Sequence, residues 1–352
     1  MDIGSVYKNK PYLFEVKKDD IGGGNEIVDY LMSLTLIGKP DSIEFLCSNY
    51  EYDSYLIIKN GVGYCVKYSF DPENKSLLNE SKILHQNHPY CPRSIIYEKI
   101  KFGDELHYSV SSFEFADNVK DFGFASLLEN WQPFFDIYGH TQNSSCETRF
   151  FDYLNEFYQK TDLTCFPEDA LEAIKKYYDF NILQSLIKSI IGEISVLCKA
   201  SLVNRKELCH GKLQPSNILF RQGMFKLIDF TESHHGNQYL DLSRLSIFLG
   251  LNSAQEKEML TSLLKSKGQM LTKESWEEYR SCYDIMIRMV FVELIVSYLK
   301  EVYIFSSFRP IKILSIIETF SKNNKAFFRL PIINEHYEFI YRMMLEPIIG
   351  KE

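Results

Sequence analysis

Residues 208–220 read LCHGKLQPSNILF, and residues 225–230 read FKLIDF. Asn217 follows His210 by seven residues, and Asp229 comes twelve residues after Asn217. A loop amide oxygen and a carboxylate at the end of a strand are the groups that hold the metal against the phosphates in Mg²⁺-assisted phosphoryl transfer. The pattern predicts that Asn217 and Asp229 bind a metal and that His210 shapes the loop. Taken singly, Asn217 could equally cap a turn and Asp229 could simply end a strand.

The order of these residues resembles a known family. The loop is similar to the H-G-D-x-x-x-x-N-I-L loop of the aminoglycoside phosphotransferase and choline kinase family, and LIDF at 227–230 is similar to the I-D-F or I-D-W that follows it there. Residues 236–245, GNQYLDLSRL, also resemble the segment after the family's metal aspartate, which implies that Asp241 braces the loop. The resemblance implies a protein-kinase-like fold, with ATP or another nucleoside triphosphate and Mg²⁺ as cofactors.

The hydrophobic pattern divides the chain into a β-rich part and a helical part. Residues 42–70 and 93–115 are rich in β-branched and aromatic residues, and Asn60-Gly61 lies between two strand-like runs as a hairpin turn. Residues 76–86 have the composition of a short helix. Beyond about residue 120 apolar residues recur at helical spacing, as in FNILQSLIKSIIGEISVLCKA at 180–200. The fold class predicted from this order, together with the resemblance, is α+β with two kinase-like lobes.

The predicted units follow from the same division. They are an N-terminal extension at 1–40 with a helix around 26–38, a small antiparallel β lobe with one helix at 41–117, and a larger mostly helical lobe at 118–352 that contains the loop 208–230.

The resemblance also assigns nucleotide-binding residues in the β-rich part. Lys67 lies on the second strand of the predicted hairpin, and Glu80 lies thirteen residues later on the predicted helix. By similarity, Lys67 would bind the phosphates and Glu80 would pair with it. The backbone groups of Phe113 to Ala116, Phe115 among them, would read an adenine edge as a hinge, an inference from position alone.

Two departures from the family pattern concern chemistry. Lys212 stands where the family places the aspartate that accepts the proton of the attacking hydroxyl, and a lysine near Asp229 is expected to be a cation. Three interpretations stay open: Lys212 disarms an ancestral kinase, it retools the site for an anion, or it is an exposed loop cation in a shifted alignment. The segment CSNYEYDSY at 47–55, between the first two strands, contains no glycine, although close cradling of phosphates by backbone N–H groups favours small residues.

Composition narrows the classes of partner and location. A net charge of −8 and a pI near 5.6 argue against a broad nucleic-acid surface. The eight cysteines are scattered and form no C-x-x-C pair, which predicts buried reduced thiols in a cytoplasmic protein. The N-terminus has no apolar signal region, and the apolar run at 285–299 is interrupted by two charges, so we expect a buried helix and no membrane partner. The tandem His234-His235 is predicted to lie in a polar loop and not in a metal site.

The sequence leaves two possible functions open. The first is a degenerate kinase-like protein, a pseudokinase that binds ATP and Mg²⁺ through Lys67, Asn217 and Asp229 and acts as a binding or regulatory module, alone or with a protein partner. The second is an active phosphotransferase acting on a hydroxyl of a small molecule or peptide, with the base supplied by another group. Lys212 and the glycine-free segment favour the first.

Overall fold

The computed structural model describes residues 41–345 apart from short gaps, and all structural statements concern those residues. The gaps are at 49–51, 70–73, 87–90, 93, 103–105, 116–123, 142–145, 147, 167, 199–204, 222–223 and 305–309. The predicted N-terminal extension at 1–40, with its helix around 26–38, therefore lies outside the described residues, as do residues 346–352.

A five-stranded antiparallel sheet forms the first part of the described chain. Its strands are β1 (Ser42–Ser48), β2 (Asp53–Lys59), β3 (Val62–Ser69), β4 (Ser94–Phe102) and β5 (Leu106–Phe115), in the order β1-β2-β3-β5-β4. The turn between β2 and β3 uses Asn60 and Gly61 with φ angles of 51° and 75°, the left-handed conformation that a tight hairpin turn requires. The hairpin predicted from Asn60-Gly61 is confirmed.

One helix, α1 (Lys75–Gln86), follows β3 and packs against β4 and β5. Asn74 begins it by accepting a hydrogen bond from the Leu77 N–H at 2.9 Å. Its apolar residues Ile83 and Leu84 are fully buried, which confirms the predicted short helix.

Helices dominate the chain beyond the sheet. They are α2 (Phe124–Glu129), α3 (Trp131–Thr141), α4 (Phe150–Thr161), α5 (Glu168–Tyr177), α6 (Phe180–Leu197), α7 (Tyr239–Leu249), α8 (Ser253–Ser266), α9 (Lys273–Ile304), α10 (Pro310–Phe327), α11 (Pro331–Glu335) and α12 (Tyr337–Leu345). The last two, α11 and α12, are short helices with His336 between them.

The long apolar runs are the centre of the helical part. The run at 285–299 lies within α9 and is almost entirely buried, as expected, and its two charged residues are paired: Arg288 with Glu193 at 2.7 Å, and Glu293 with Arg244 at 2.6 Å. Helix α6 buries the predicted apolar stripe against α9.

One described helix meets a length and composition test for a membrane span. Helix α6 is 18 residues long, its mean hydropathy is 1.3, and 28% of that stretch is buried. A single helix of this kind carries little weight, because core helices of water-soluble proteins have the same properties.

The residues described between Arg205 and Gln238 form short strands and turns that hold the predicted site. Strand β6 (Glu207–Cys209) pairs with β9 (His234–Gly236), and β7 (Ile218–Arg221) pairs with β8 (Met224–Leu227). Two short 3₁₀ turns, Pro215–Asn217 and Phe230–Glu232, connect these strands. Their packing against α1 and α7 brings the loop at 208–230 to the sheet.

Candidate active site

One buried carboxylate holds the loop after β6. Asp241, on α7 and 1% exposed, accepts hydrogen bonds from the backbone N–H groups of His210 and Gly211 at 2.5 and 3.0 Å. It also accepts the hydroxyl of Tyr138 at 2.7 Å. Hydrogen bonds to an ionised acceptor are stronger than neutral ones. Asp241 therefore braces the loop, as the resemblance implied.

The imidazole of His210 links this loop to the end of β8. Its Nε2 lies 2.9 Å from the carbonyl oxygen of Ile228, and its Nδ1 accepts the backbone N–H of Lys212 at 3.3 Å. These partners assign the proton to Nε2. Burial lowers the pKa of His210, outweighing nearby carboxylates, so the ring is neutral at pH 7. In this geometry His210 shapes the loop.

Gly211 allows the loop to touch the 3₁₀ turn that follows Asp229. Its φ is +80°, and an added Cβ would lie 1.9 Å from the carbonyl oxygen of Glu232. No other residue fits so close an approach. This contact brings Glu232 next to Lys212, which follows Gly211 in the chain.

Lys67, Glu80 and Asp229 meet in a buried ionic cluster. The Lys67 ammonium, on β3, donates to Glu80 Oε1 and to Asp229 Oδ1, both at 2.8 Å. The Phe230 N–H also donates to Glu80 Oε1, at 3.2 Å. Burial alone would lower the pKa of Lys67, but Asp229 and Glu80 outweigh it and raise that pKa well above its ordinary value. Residues predicted from separate segments are thus in direct contact.

Asp229 has an unusual backbone and a strongly perturbed carboxyl group. Its φ and ψ of 65° and 58° are left-handed, a conformation that aspartate tolerates better than most residues. Burial would raise its pKa, but Lys67 and Lys212 outweigh burial and hold the pKa well below its usual range. Its Oδ1 accepts from three donors, which are the Lys67 ammonium at 2.8 Å, the Tyr52 hydroxyl at 3.2 Å and the Thr231 hydroxyl at 3.0 Å.

The side chain of Lys212 points toward Asp229. Its Nζ lies 3.8 Å from Asp229 Oδ2 and 3.4 Å from Glu232 Oε1, and the side chain is 27% exposed. Burial would lower its pKa, but Glu232 and Asp229 outweigh burial and raise the pKa well above its ordinary value. Lys212 is therefore a cation, as expected. The interpretation of Lys212 as an unpaired loop cation does not describe this geometry.

Glu232 is a site residue that the sequence reasoning missed. Its carboxylate pairs with Lys212, and that cation helps hold the pKa of Glu232 below its ordinary value against the effect of burial. An acidic residue three positions after Asp229 was the available signal. Lys212 and Glu232 thus form an ion pair beside Asp229.

Asn217 is 6% exposed and forms hydrogen bonds with both the start and the end of the segment 208–230. Its amide Nδ2 donates to the carbonyl oxygen of Lys212 at 2.9 Å, and its own carbonyl accepts the N–H of Ile228 at 3.1 Å. The side-chain oxygen is the atom that a metal would use. In this arrangement Asn217 also has the turn-forming role that the sequence allowed.

A Mg²⁺ ion, implied by the fold, does not fit the donors as they are arranged. The three donors on Asp229 Oδ1 compete with a metal for its lone pairs, and the Lys212 ammonium faces the other oxygen. Mg²⁺ prefers several oxygen ligands in octahedral geometry. Within the described part of the chain, no group of three or more His, Cys, Asp or Glu residues could hold a metal. The predicted metal role of Asn217 and Asp229 stays a prediction without structural support.

Tyr52, within the glycine-free segment, is the second residue that sequence reasoning missed. It lies immediately before β2, and 3% of it is exposed. Besides bonding Asp229, its hydroxyl lies 3.2 Å from Thr231 Oγ1. The Lys67 ammonium lies 4.9 Å from the centre of its ring. An aromatic side chain therefore fills space beside the ionic cluster.

The predicted hinge lies at the end of β5. Phe113 pairs with Cys65 of β3, and Phe115 pairs with Gly63, so this backbone runs beside the strand that carries Lys67. Ala116, the next predicted hinge residue, lies outside the described residues. A nucleotide-binding role for Phe113 and Phe115 stays a prediction.

The placement of His234-His235 differs from the prediction of a polar loop. Both residues lie on β9, and His234 is 2% exposed. Its ring stacks on Tyr153 with centroids 4.2 Å apart. The polar-loop prediction was wrong because pairing with β6 places His234 inside the core.

Comparison with known proteins gives a fold but no close relative. No protein-family model matches the sequence, and no curated protein matches it significantly. Solved structures with similar folds include an apo thermostable mutant of aminoglycoside phosphotransferase APH(4)-Ia, with TM-score 0.53 and 11% identity over 87% of this chain and 98% of that one. The chain has a protein-kinase-like fold.

Two further solved structures share this fold. LicA in complex with AMP, the choline kinase of Streptococcus pneumoniae, has TM-score 0.52 and 15% identity over 84% of this chain and 96% of that one. Spectinomycin phosphotransferase APH(9)-Ia, in complex with ADP and spectinomycin, has TM-score 0.52 and 14% identity over 84% and 93%. The kinase-like resemblance drawn from the loop residues is confirmed at the level of the fold, as is the mixed α and β class.

Proposed function

We propose that the protein is a kinase-like nucleotide-binding module that transfers phosphate poorly or not at all, in other words a pseudokinase. The observation that carries this proposal is the position of Lys212. Its ammonium lies between Glu232 and Asp229, at the place in the loop where the resemblance puts the proton-accepting aspartate.

Lys212 cannot take the proton of an attacking hydroxyl. Even at an unperturbed pKa of about 10.4, only about one lysine in 2,500 is neutral at pH 7, and the two carboxylates raise the pKa further. A positioned base contributes roughly 10²- to 10⁴-fold in rate. The missing base, together with the Lys67 and Lys212 ammonium groups at Asp229, supports slow or absent phosphoryl transfer.

Nucleotide binding is supported by the arrangement of the same cations. Lys67 is held by Glu80 in the paired state that kinase-like sites use for phosphate contact. Lys212 adds a second positive charge beside Asp229. We infer that a nucleoside triphosphate such as ATP binds here with Lys212 in the role that Mg²⁺ has in active kinases, and with the backbone near Phe113 and Phe115 as the hinge.

Titration calorimetry with ATP tests this proposal, in EDTA and again with excess Mg²⁺. We expect similar affinity in both, because Lys212 already supplies positive charge at Asp229, and weaker binding of AMP, which lacks the terminal phosphates. No ATP binding under either condition would remove the nucleotide-binding proposal. Binding that requires Mg²⁺ would contradict the role given to Lys212.

A second candidate is an active phosphotransferase, and the position of Glu232 favours it. Its carboxylate is 3.4 Å from Lys212 Nζ and its side chain is 21% exposed. An acceptor hydroxyl could attack the γ-phosphorus and give its proton to Glu232 while the bond to the ADP oxygen breaks. Lys212 would stabilise the transferred phosphoryl group. The acceptor would be a small molecule or peptide.

Phosphate release from ATP by single-residue variants separates the two candidates. The pseudokinase proposal expects Lys212→Asp to raise release above the native level and Glu232→Gln to leave it unchanged. The phosphotransferase candidate expects both substitutions to lower it.

A cytoplasmic location, the absence of nucleic-acid and membrane partners, and the domain limits at 41–117 and 118–352 stay predictions.

A further inference from the structure

Tyr52 makes polar contacts that a core aromatic residue does not need. Its ring and hydroxyl are 3% exposed, yet the hydroxyl donates to Asp229 at 3.2 Å and lies 3.2 Å from Thr231 Oγ1. The ammonium of Lys67 lies 4.9 Å from the ring centre, within cation–π distance. Phenylalanine would fill the same space without these contacts.

These contacts are with the residues that phosphate groups would need. Lys67 is the proposed phosphate ligand, and Asp229 is the carboxylate beside which the phosphates would lie. The Tyr52 hydroxyl uses Asp229 Oδ1, the same oxygen that Lys67 contacts. A phosphate chain needs the Lys67 ammonium, which the Tyr52 ring faces at 4.9 Å, so Tyr52 and a bound phosphate chain compete for Lys67.

We propose that Tyr52 is an internal competitor that regulates entry of the nucleotide's phosphates to Lys67 and Asp229. This inference rests on the proposed nucleotide-binding function and names a regulatory contact of that site. Tyr52 is itself flanked by the start of β2, where Asp53 pairs with Tyr68 of β3, so its backbone is anchored beside Lys67. The side chain leaves Asp229 when the phosphates arrive.

The competition has a measurable size. If Tyr52 leaves Lys67 open to phosphate about a tenth of the time, the apparent Kd for ATP is about tenfold weaker than it would be for a site that is always open. Tyr52→Ala removes both ring and hydroxyl and is expected to tighten ATP binding about tenfold. Tyr52→Phe removes the hydrogen bonds and keeps the ring, so we expect an intermediate gain of about threefold, half the tenfold effect on a logarithmic scale.

Calorimetric titration of the full chain with ATP tests this, using native protein, Tyr52→Ala, Tyr52→Phe and Tyr178→Phe. The last is a matched control, because the Tyr178 hydroxyl bonds that of Tyr298 between α5 and α9 and its loss should leave ATP affinity unchanged. Folding of each variant is checked by its urea unfolding midpoint.

A second measurement follows Tyr52 in the native protein. Nitration by tetranitromethane, read by mass spectrometry, should be slow at buried Tyr52 and rise at least about fivefold with ATP near half-saturation and above, as the side chain is displaced. Tyr341, which is 40% exposed, should react equally with and without ATP and serves as the internal control.

The outcomes separate the inference from the proposed function. Native binding with Tyr52→Ala unchanged or weaker, or with Tyr52 still protected at saturating ATP, overturns the role of Tyr52 and leaves nucleotide binding intact. Binding that appears only in Tyr52→Ala supports both. No binding by any variant overturns both.

Discussion

Reversing the charge of Lys212 is the most informative single change in this protein. Lys212→Asp replaces an ammonium, held between Glu232 and Asp229, with a third carboxylate. Without the Lys212 ammonium these carboxylates repel one another more strongly, since only Lys67 still pairs with Asp229, and with Mg²⁺ they become a ligand set. We expect the variant to be destabilised in EDTA and to regain stability when Mg²⁺ is added.

The magnitude follows from two distances. At 3.4 and 3.8 Å, each attraction of Lys212 is about 4 to 5 kcal/mol before desolvation, with an effective dielectric constant near 20. Breaking buried pairs costs about 3 to 5 kcal/mol, whereas exposed pairs are worth about 1 kcal/mol or less. Since Lys212 is 27% exposed, we expect a loss of about 3 kcal/mol in unfolding free energy for the reversal.

Urea unfolding at pH 7 is the assay, with EDTA and with millimolar Mg²⁺. The control is Lys267→Asp, because Lys267 is 26% exposed and pairs with Glu207 at 2.8 Å outside the site. The control breaks one pair and not two, and its partner Glu207 is 31% exposed, so it should lose only about 1 kcal/mol and show no response to Mg²⁺. The unfolding free energy of native protein should change only weakly with Mg²⁺, because the Lys212 ammonium faces Asp229.

Two results would refute the reasoning. Lys212→Asp as stable as native protein in EDTA would mean that Lys212 does not offset the two carboxylates. Native protein stabilised by Mg²⁺ as strongly as the variant would mean that the metal already has a site beside Lys212.

Three other perturbations test the ionic cluster and its loop. Gly211→Ala should lower the unfolding free energy by at least about 3 kcal/mol, because the added Cβ meets the Glu232 carbonyl oxygen at 1.9 Å. The control Gly61→Ala has φ +75° but open space around the added Cβ, so it should cost about 1 kcal/mol, and similar urea midpoints for the two variants would contradict this. Asp229 and Glu232 have folded-state pKa values below their unfolded ones, so the stability they contribute is complete above about pH 5 and is lost as the pH falls. In urea unfolding, the double variant Asp229→Asn/Glu232→Gln should therefore lose less stability than native protein between pH 6 and 3. Lys67→Met should cost about 3 to 5 kcal/mol at pH 7, because it leaves the buried Glu80 carboxylate without its cation, and less at pH 4, where that carboxyl can take up a proton. A cost independent of pH would contradict that cause.

Much of the ionic cluster and its loop could be predicted from residue order. Lys67 and Glu80 were assigned by similarity from their places on a strand and the next helix, and the structure has them bonded at 2.8 Å. Asn60-Gly61 predicted its hairpin because a tight turn needs two left-handed residues, a local property of the chain. Asp241 was expected to brace the loop and does so.

Other parts of the site could not be predicted from local pattern. Tyr52 and Asp229 are separated by 177 residues, and their hydrogen bond depends on how the sheet meets the 3₁₀ turn. The burial of His234 depends on the pairing of two three-residue strands, β6 and β9, each too short to give a periodic signal.

The sequence by itself determined the kinds of groups in the site: a cation where a proton acceptor is expected, an amide and a carboxylate after it, and an aromatic segment without glycine. Composition and periodicity are local properties, and they also determined the longer strands and helices. Tertiary structure decided the state of those groups, because charge and burial act through space. It placed Lys212 between Asp229 and Glu232, and it placed Tyr52 against Lys67, contacts that link residues far apart in the chain.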